Sequence, residues 1–134
     1  QLKNYTVTKL MQAGAKEVHV RPACPPLMFP CVYNLSTQSI QELVARRAIR
    51  ALEGKNIEDV SEYIDPTSEK YKKMVEWIAK DLGVTSLQYQ LLEDMVKAIG
   101  LPKERLCLYC WIGKGVQKSL QSYQDAKNQE VLAC

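Results

Sequence analysis

The chain has 134 residues, of which 46% are hydrophobic and 25% charged, and its net charge is +3. This length and composition are typical of one globular domain with a core of its own. No apolar run approaches the roughly 20 residues that a membrane-spanning helix needs, so no membrane partner is expected. The charges are spread along the chain, whereas nucleic-acid binding needs a dense basic stripe, so no nucleic-acid partner is expected either.

The first elements are a helix over residues 4–13 and a strand over residues 17–21. The strand contains Val18 and Val20 among β-compatible neighbours, and Pro22 ends it. A single strand cannot satisfy its own backbone groups. Either a second strand has escaped recognition, or the rest of the sheet belongs to chain outside this sequence. The absence of an initiator Met favours a piece of a longer protein.

Residues 22–31, "PACPPLMFPC", contain four prolines and two cysteines and form a rigid irregular loop. Helical periodicity follows, with capping residues at Ser39, Asp65 and Thr85. The predicted helices cover residues 39–53, 56–64, 65–82 and 85–99. Together with the first helix they make about five helices and one clear strand.

Cys107 and Cys110 form a C-x-x-C pair, which has four interpretations. Both sulfurs can reach one metal ion, or they can form a redox dithiol, a disulfide or two buried thiols. Cys24 and Cys31 lie on the rigid loop, as preorganised metal ligands would. With the pair they could complete a four-cysteine site within this chain.

No other group of residues suggests chemistry. His19 lies inside the strand, where a structural role is expected. Arg46, Arg47 and Arg50 could bind an anion, but a solvated helix face is the simpler interpretation. The sequence has no glycine-rich phosphate loop and no nucleophile motif, so no catalytic residue is assigned to this chain.

Five stretches in order resemble the glutamine phosphoribosylpyrophosphate amidotransferases, or amidophosphoribosyltransferases. They are "AGAKEVHVRPACPP" at 13–26, "PCVYNLST" at 30–37, "ELVA" at 42–45, "LGVTSLQYQLLEDMVKAIG" at 82–100 and "CLYCWIGK" at 107–114. The family has AGA-x-E-V-H-V-R-x-x-S-P-P, P-C-F-Y-G-I-D-T, E-L-I-A, I-G-A-D-S-L-x-Y-L-S-L-E-G-L-L-E-A-I-G and C-x-A-C-F-T-G-x in these places. This chain departs from the family in "NLS" and "WIG" and in a longer segment over 46–80, so no nucleotide-feedback residues are carried over.

The resemblance implies a parent enzyme of purine biosynthesis that makes phosphoribosylamine. In the family, ammonia from glutamine displaces pyrophosphate from the ribose donor, with Mg²⁺ as cofactor. Gln1 would fall near the end of the ribose-phosphate loop, so both catalytic sites would lie upstream. A cytoplasmic homo-oligomer is expected, with the remainder of the parent polypeptide as the chain's partner.

The resemblance also implies a structural 4Fe-4S cluster, held in many bacterial members by four cysteines. Residue by residue it assigns Cys31, Cys107 and Cys110 as ligands, with the fourth ligand upstream of Gln1. Cys24 falls where the family often has Ser, so it is not assigned.

The prediction is therefore an α/β fragment, predominantly α-helical, from the C-terminal part of a phosphoribosyltransferase-type domain. Residues 1–30 would complete the transferase sheet, 31–115 would form a helical region ending in the C-x-x-C, and 116–134 would be a weakly helical or frayed tail. The alternative is a small helical protein-interaction domain with a four-cysteine Zn²⁺ site that includes Cys24. A metal-free helical module with buried thiols is the third possibility.

Overall fold

Helices dominate the computed structural model, which describes residues 2–33 and 39–114. A π-helical segment, Leu2–Val7, runs directly into the first α-helix, and short 3₁₀ turns cover Ile40–Glu42 and Lys103–Arg105. None of the described helices is long and apolar enough to cross a membrane. The α-helices are α1 (Thr8–Gln12), α2 (Val44–Glu53), α3 (Ser61–Ile64), α4 (Glu69–Leu82), α5 (Leu92–Ile99) and α6 (Tyr109–Ile112). The tail predicted over 116–134 lies outside the described residues.

The strand β1 (His19–Val20) has a partner within this chain. It pairs in parallel with β2 (Ser86–Leu87), in the register His19 to Ser86 and Val20 to Leu87. Two further backbone hydrogen bonds extend the ladder, from Thr85 N to the Val18 oxygen at 2.8 Å and from Gln88 N to the Val20 oxygen at 3.1 Å. An unrecognised second strand within this chain therefore explains the pairing of β1, and a strand from outside this sequence is not needed for these four residues.

The predicted helix over 85–99 is consequently wrong in its first part, because α5 begins only at Leu92. Thr85 does not cap a helix, since its hydroxyl accepts a hydrogen bond from Val18 N at 3.0 Å across the sheet. Leu87 is buried while Gln88 is exposed and Tyr89 half-buried, which is the two-residue period of a strand. The sequence pattern of Thr85 and Gln88 resembles a helix capping box, and the alternation of buried and exposed residues is too short to rule that pattern out.

Three other helices also begin later than predicted, and the short one predicted over 56–64 begins only at Ser61. Ser39 makes no side-chain capping bond, and α2 starts at Val44 after the 3₁₀ turn. The cap of α4 is Ser68, whose hydroxyl accepts from Tyr71 N at 3.0 Å. Asp65 instead accepts from Thr67 N at 2.9 Å, which forms a local turn before the helix.

The core lies between α2 and α4, with the proline-rich loop packed against it. Ala45, Ala48 and Ile49 of α2 face Met74 and Ile78 of α4, and all five are 1% exposed or less. The two alanines let the helices approach closely, because small residues in the groove shorten the interaxial distance. The loop and the strand β2 complete the same cluster with the buried side chains of Met28 and Leu87.

Candidate functional site

The C-x-x-C pair surrounds the start of the short helix α6. Cys107 is exposed and Cys110 half-buried, while Leu108 between them is 4% exposed and anchors the turn in the interior. Trp111 N donates to the Leu108 oxygen at 3.1 Å, so the backbone winds tightly between the two thiols. A thioredoxin-like dithiol needs its first cysteine at a helix N-terminus after a strand. Here a 3₁₀ turn precedes Cys107, which counts against that interpretation.

The proline-rich loop docks on this turn through its backbone. The N–H groups of Met28 and Phe29 both donate to the carbonyl oxygen of Cys110, at 2.8 and 3.0 Å. Two donors on one oxygen fix the direction in which the loop meets the turn. Cys31 follows two residues later, so the docking carries the loop's second cysteine towards the pair. Sequence reasoning missed this contact, although the apolar "LMF" between prolines was a signal of burial.

The three cysteines implied as ligands lie together. The thiols of Cys31 and Cys110 are hydrogen-bonded to each other. Burial raises the pKa of the Cys110 thiol, and the neighbouring Cys31 and Cys107 raise that pKa further because their thiolates would repel a charge on it. A bound cation would remove this repulsion, since a coordinating thiol is deprotonated by its metal.

Cys24 lies in different surroundings. Its neighbour is Tyr89, whose pKa is raised to about 12 by burial first and then by Tyr71 and Cys24. The thiols that raise the pKa of Cys110 are those of Cys31 and Cys107, and Cys24 is not among them. The two cysteines of the loop therefore have different electrostatic neighbours, the C-x-x-C pair for Cys31 and the half-buried Tyr89 for Cys24.

The donor set suits a metal centre, but the described residues do not form a closed cage. Cysteine thiolates are the ligands of iron–sulfur clusters and of structural zinc, and Cys31 and Cys107 are near enough to Cys110 to affect its pKa. Within residues 2–33 and 39–114, no group of three or more His, Cys, Asp or Glu side chains is arranged to hold a metal ion. Binding of a metal would require these cysteines to be present as thiolates.

The other polar residues singled out in the sequence have structural environments. His19 bridges the sheet, with Nδ1 2.8 Å from the Ser86 hydroxyl and Nε2 3.1 Å from the Glu17 carboxylate. The solvated interpretation is wrong for Arg46, which is 8% exposed and donates from Nη2 to the Ile57 oxygen at 2.7 Å. Burial lowers the pKa of this guanidinium. Arg47 and Arg50 are exposed, as expected.

Comparison with known proteins gives one consistent set of relatives. Amidophosphoribosyltransferase from Methanocaldococcus jannaschii is 35% identical over 108 residues, which are 81% of this chain and 17% of that protein. The Bacillus subtilis enzyme is 30% identical over 123 residues, which are 89% of this chain and 20% of that protein. The chain is similar to a segment of the amidophosphoribosyltransferases. The resemblance predicted from the five sequence motifs is thereby confirmed.

The amidophosphoribosyltransferase likeness covers most of this chain but little of each relative. The chain spans about a sixth of the length of the M. jannaschii relative, 17%. A Glycine max relative named as chloroplastic is 32% identical over 81% of this chain and 15% of its own length. No protein-family profile matches the chain, and no solved structure matches it.

Proposed function

We propose that this chain is the C-terminal portion of a glutamine phosphoribosylpyrophosphate amidotransferase. The parent enzyme would be a glycosyltransferase that forms phosphoribosylamine in the first committed step of purine biosynthesis, with Mg²⁺ as its cofactor. The observation that carries this proposal is the 30–35% identity to curated amidophosphoribosyltransferases over 81–89% of the chain. The order of the five motifs supports it, because each aligns with a family motif at similar spacing.

The same proposal assigns Cys31, Cys107 and Cys110 as three ligands of a structural 4Fe-4S cluster. The supporting observations are the hydrogen bond between the Cys31 and Cys110 thiols and the rise in the pKa of Cys110 caused by Cys31 and Cys107. When bound, the cluster would supply a cross-link between the proline-rich loop and the turn before α6. The chain's own residues already hold these segments together through the Cys110 carbonyl, so the cross-link would reinforce an existing contact. The fourth ligand is expected in the upstream part of the parent chain.

A zinc-binding interaction domain is the alternative, and it requires Cys24 as the fourth ligand. Cys31 and Cys107 both raise the pKa of Cys110, whereas Cys24 is not among the groups that raise it, which favours the iron–sulfur proposal over this one. Metal analysis of the anaerobically purified full-length polypeptide distinguishes them. Iron with inorganic sulfide and a broad brown absorbance support the cluster, whereas a colourless protein carrying stoichiometric zinc contradicts it.

The proposed place of the chain in the parent enzyme predicts that the 134 residues alone are inactive. We expect the isolated chain neither to hydrolyse glutamine nor to release pyrophosphate from the ribose donor. The full-length polypeptide should do both in the same assays. Pyrophosphate release by the isolated chain would show that these 134 residues contain catalytic residues and would contradict the proposal.

We further propose the rest of the parent polypeptide and other copies of it as partners. A reducing compartment such as the cytoplasm suits the thiols, because oxidising compartments convert neighbouring cysteines to disulfides. The relative from Glycine max is named as a chloroplast protein, so the compartment differs among similar proteins. Fluorescence microscopy of the tagged full-length polypeptide tests the location.

A further inference from the structure

Gly113, three residues after Cys110, is required for space as well as for backbone conformation. It ends α6 with φ +68°, a region that side chains rarely adopt. A Cβ placed on it would lie 2.7 Å from Cζ and 2.8 Å from Cε2 of the Phe29 ring. The other four glycines in the described residues also have positive φ, but a Cβ on any of them meets nothing within 4 Å. Only Gly113 among these five is therefore in close contact with the proline-rich loop.

Phe29 contacts the cysteine segment at three successive places. Its N–H donates to the Cys110 oxygen, its ring centroid is 5.6 Å from that of Tyr109, and its ring edge covers Gly113. The Tyr109 ring on one side and the glycine on the other limit where the Phe29 ring can lie. The side chain thus fixes the loop more tightly than the backbone hydrogen bonds alone would.

The link from Phe29 to Cys31 is short and stiff. Pro30 stands between them, and a proline ring holds its φ near −65°. Fixing this φ removes one of the backbone rotations through which a shift of Phe29 could be absorbed before it reaches Cys31. Since Cys31 is hydrogen-bonded to Cys110, the separation of these thiols depends on where the Phe29 ring lies.

We infer that Phe29 and Gly113 are positioning residues for the cysteine site, because the ring packs where the glycine has no side chain and thereby holds Cys31 against Cys110. Their significance for a metal centre rests on the proposed function. The contact itself does not, because both of its partners are residues of this chain. The rate at which the two thiols can be cross-linked therefore tests the contact, and the metal content of the full-length polypeptide tests the proposed function separately.

The test is the rate at which Cys31 and Cys110 can be cross-linked. In the 134-residue chain with Cys24, Cys107 and Cys134 replaced by Ser, these two thiols are the only ones left. Diamide removes one hydrogen from each thiol and joins the sulfurs, which is fast only when the Cβ atoms come within about 4.5 Å. The rate is followed by non-reducing gel mobility and by counting the remaining thiols.

Gly113→Ala should slow this cross-linking about tenfold, because the added methyl group displaces the Phe29 ring and overpacks the contact. Gly100→Ala is the matched control. Gly100 also ends a helix, with φ +75° and ψ 12° against φ +68° and ψ 14° at Gly113, and a Cβ there meets nothing. The control should cross-link at the rate of the unsubstituted background.

Phe29→Leu provides a second variant in case Gly113→Ala does not fold, as judged by circular dichroism. It removes the ring edge and should itself slow cross-linking. Combined with Gly113→Ala, it should give a faster rate than Gly113→Ala alone, because a leucine lacks the ring atoms that the methyl group would meet. Unchanged rates in both single variants, or equal slowing by Gly113→Ala and Gly100→Ala, would overturn the inference.

Discussion

Met28 provides a test of whether the proline-rich loop is part of the core. Its side chain is 1% exposed and belongs to the same cluster as the residues of α2 and α4, although it lies in an irregular segment. An apolar cavity of about 280 Å³, lined in part by Pro25 and Pro26, already adjoins it. The rigid loop cannot close over a deleted side chain, so truncation enlarges this space. We expect Met28→Ala to lower the free energy of unfolding by about 3 kcal/mol.

The matched control is Met11→Ala, because Met11 is 48% exposed on the first helix. This substitution should change the free energy of unfolding by no more than about 0.5 kcal/mol. Urea unfolding followed by tryptophan fluorescence measures both, and Trp111 reports directly on the turn against which the loop docks. The denaturant slope should remain constant, since the same surface is exposed on unfolding. If Met28→Ala were no more costly than Met11→Ala, the loop would not be an integral part of the fold.

Three smaller predictions follow from individual contacts. Ser68→Ala removes the cap that accepts from Tyr71 N, and should lower the free energy of unfolding by about 1 kcal/mol in urea titrations. Burial and the hydrogen bond to a glutamate raise the pKa of Tyr63 from 10.0 to about 12, so the unfolded chain loses this proton first and stability falls between these pH values. Tyr63→Phe should therefore reduce the fall in urea midpoint between pH 9 and pH 11, and an unchanged fall would contradict the argument. Arg46→Met should change the free energy of unfolding by less than about 1 kcal/mol, because methionine keeps the packing of the buried aliphatic stem. It also removes a buried charge, whose hydrogen bond goes to the Ile57 carbonyl. Arg46→Ala should lower the free energy of unfolding by more, because the stem is lost as well.

The long helices were predictable because their packing follows local periodicity. Ala45, Ile49, Met74 and Ile78 recur at helical spacing, and all face the core. Their starting points were not predictable from capping residues alone, because Ser39 makes no side-chain capping bond and the Asp65 carboxylate accepts from Thr67 instead. The strand β2 was missed for a related reason. Two residues are too few for an alternation to outweigh a helical pattern that continues beyond them.

The cysteine site was also predictable only where it depends on local sequence. The spacing of Cys107 and Cys110 indicated a possible site, but it is compatible with metal ligands, a redox dithiol, a disulfide or two buried thiols. The residues alone allowed both Cys24 and Cys31 to join the pair. Only the family resemblance selected Cys31, because the choice depends on how a loop about 80 residues earlier docks. The contact between Phe29 and Gly113 was inaccessible to both approaches. It depends on a left-handed backbone conformation at one residue and on the course of a distant loop.

The most direct test of the proposed site is the iron content of single Cys→Ser variants after anaerobic reconstitution of the full-length polypeptide with iron and sulfide. Cys24→Ser is the internal control, because Cys24 raises the pKa of Tyr89, whereas Cys31 and Cys107 raise the pKa of Cys110. The account predicts that Cys24→Ser retains the iron and brown absorbance of the unsubstituted protein. Cys31→Ser, Cys107→Ser and Cys110→Ser should each lose most of both. Full iron retention in Cys110→Ser, or equal loss in Cys24→Ser, would contradict the assignment of these three cysteines.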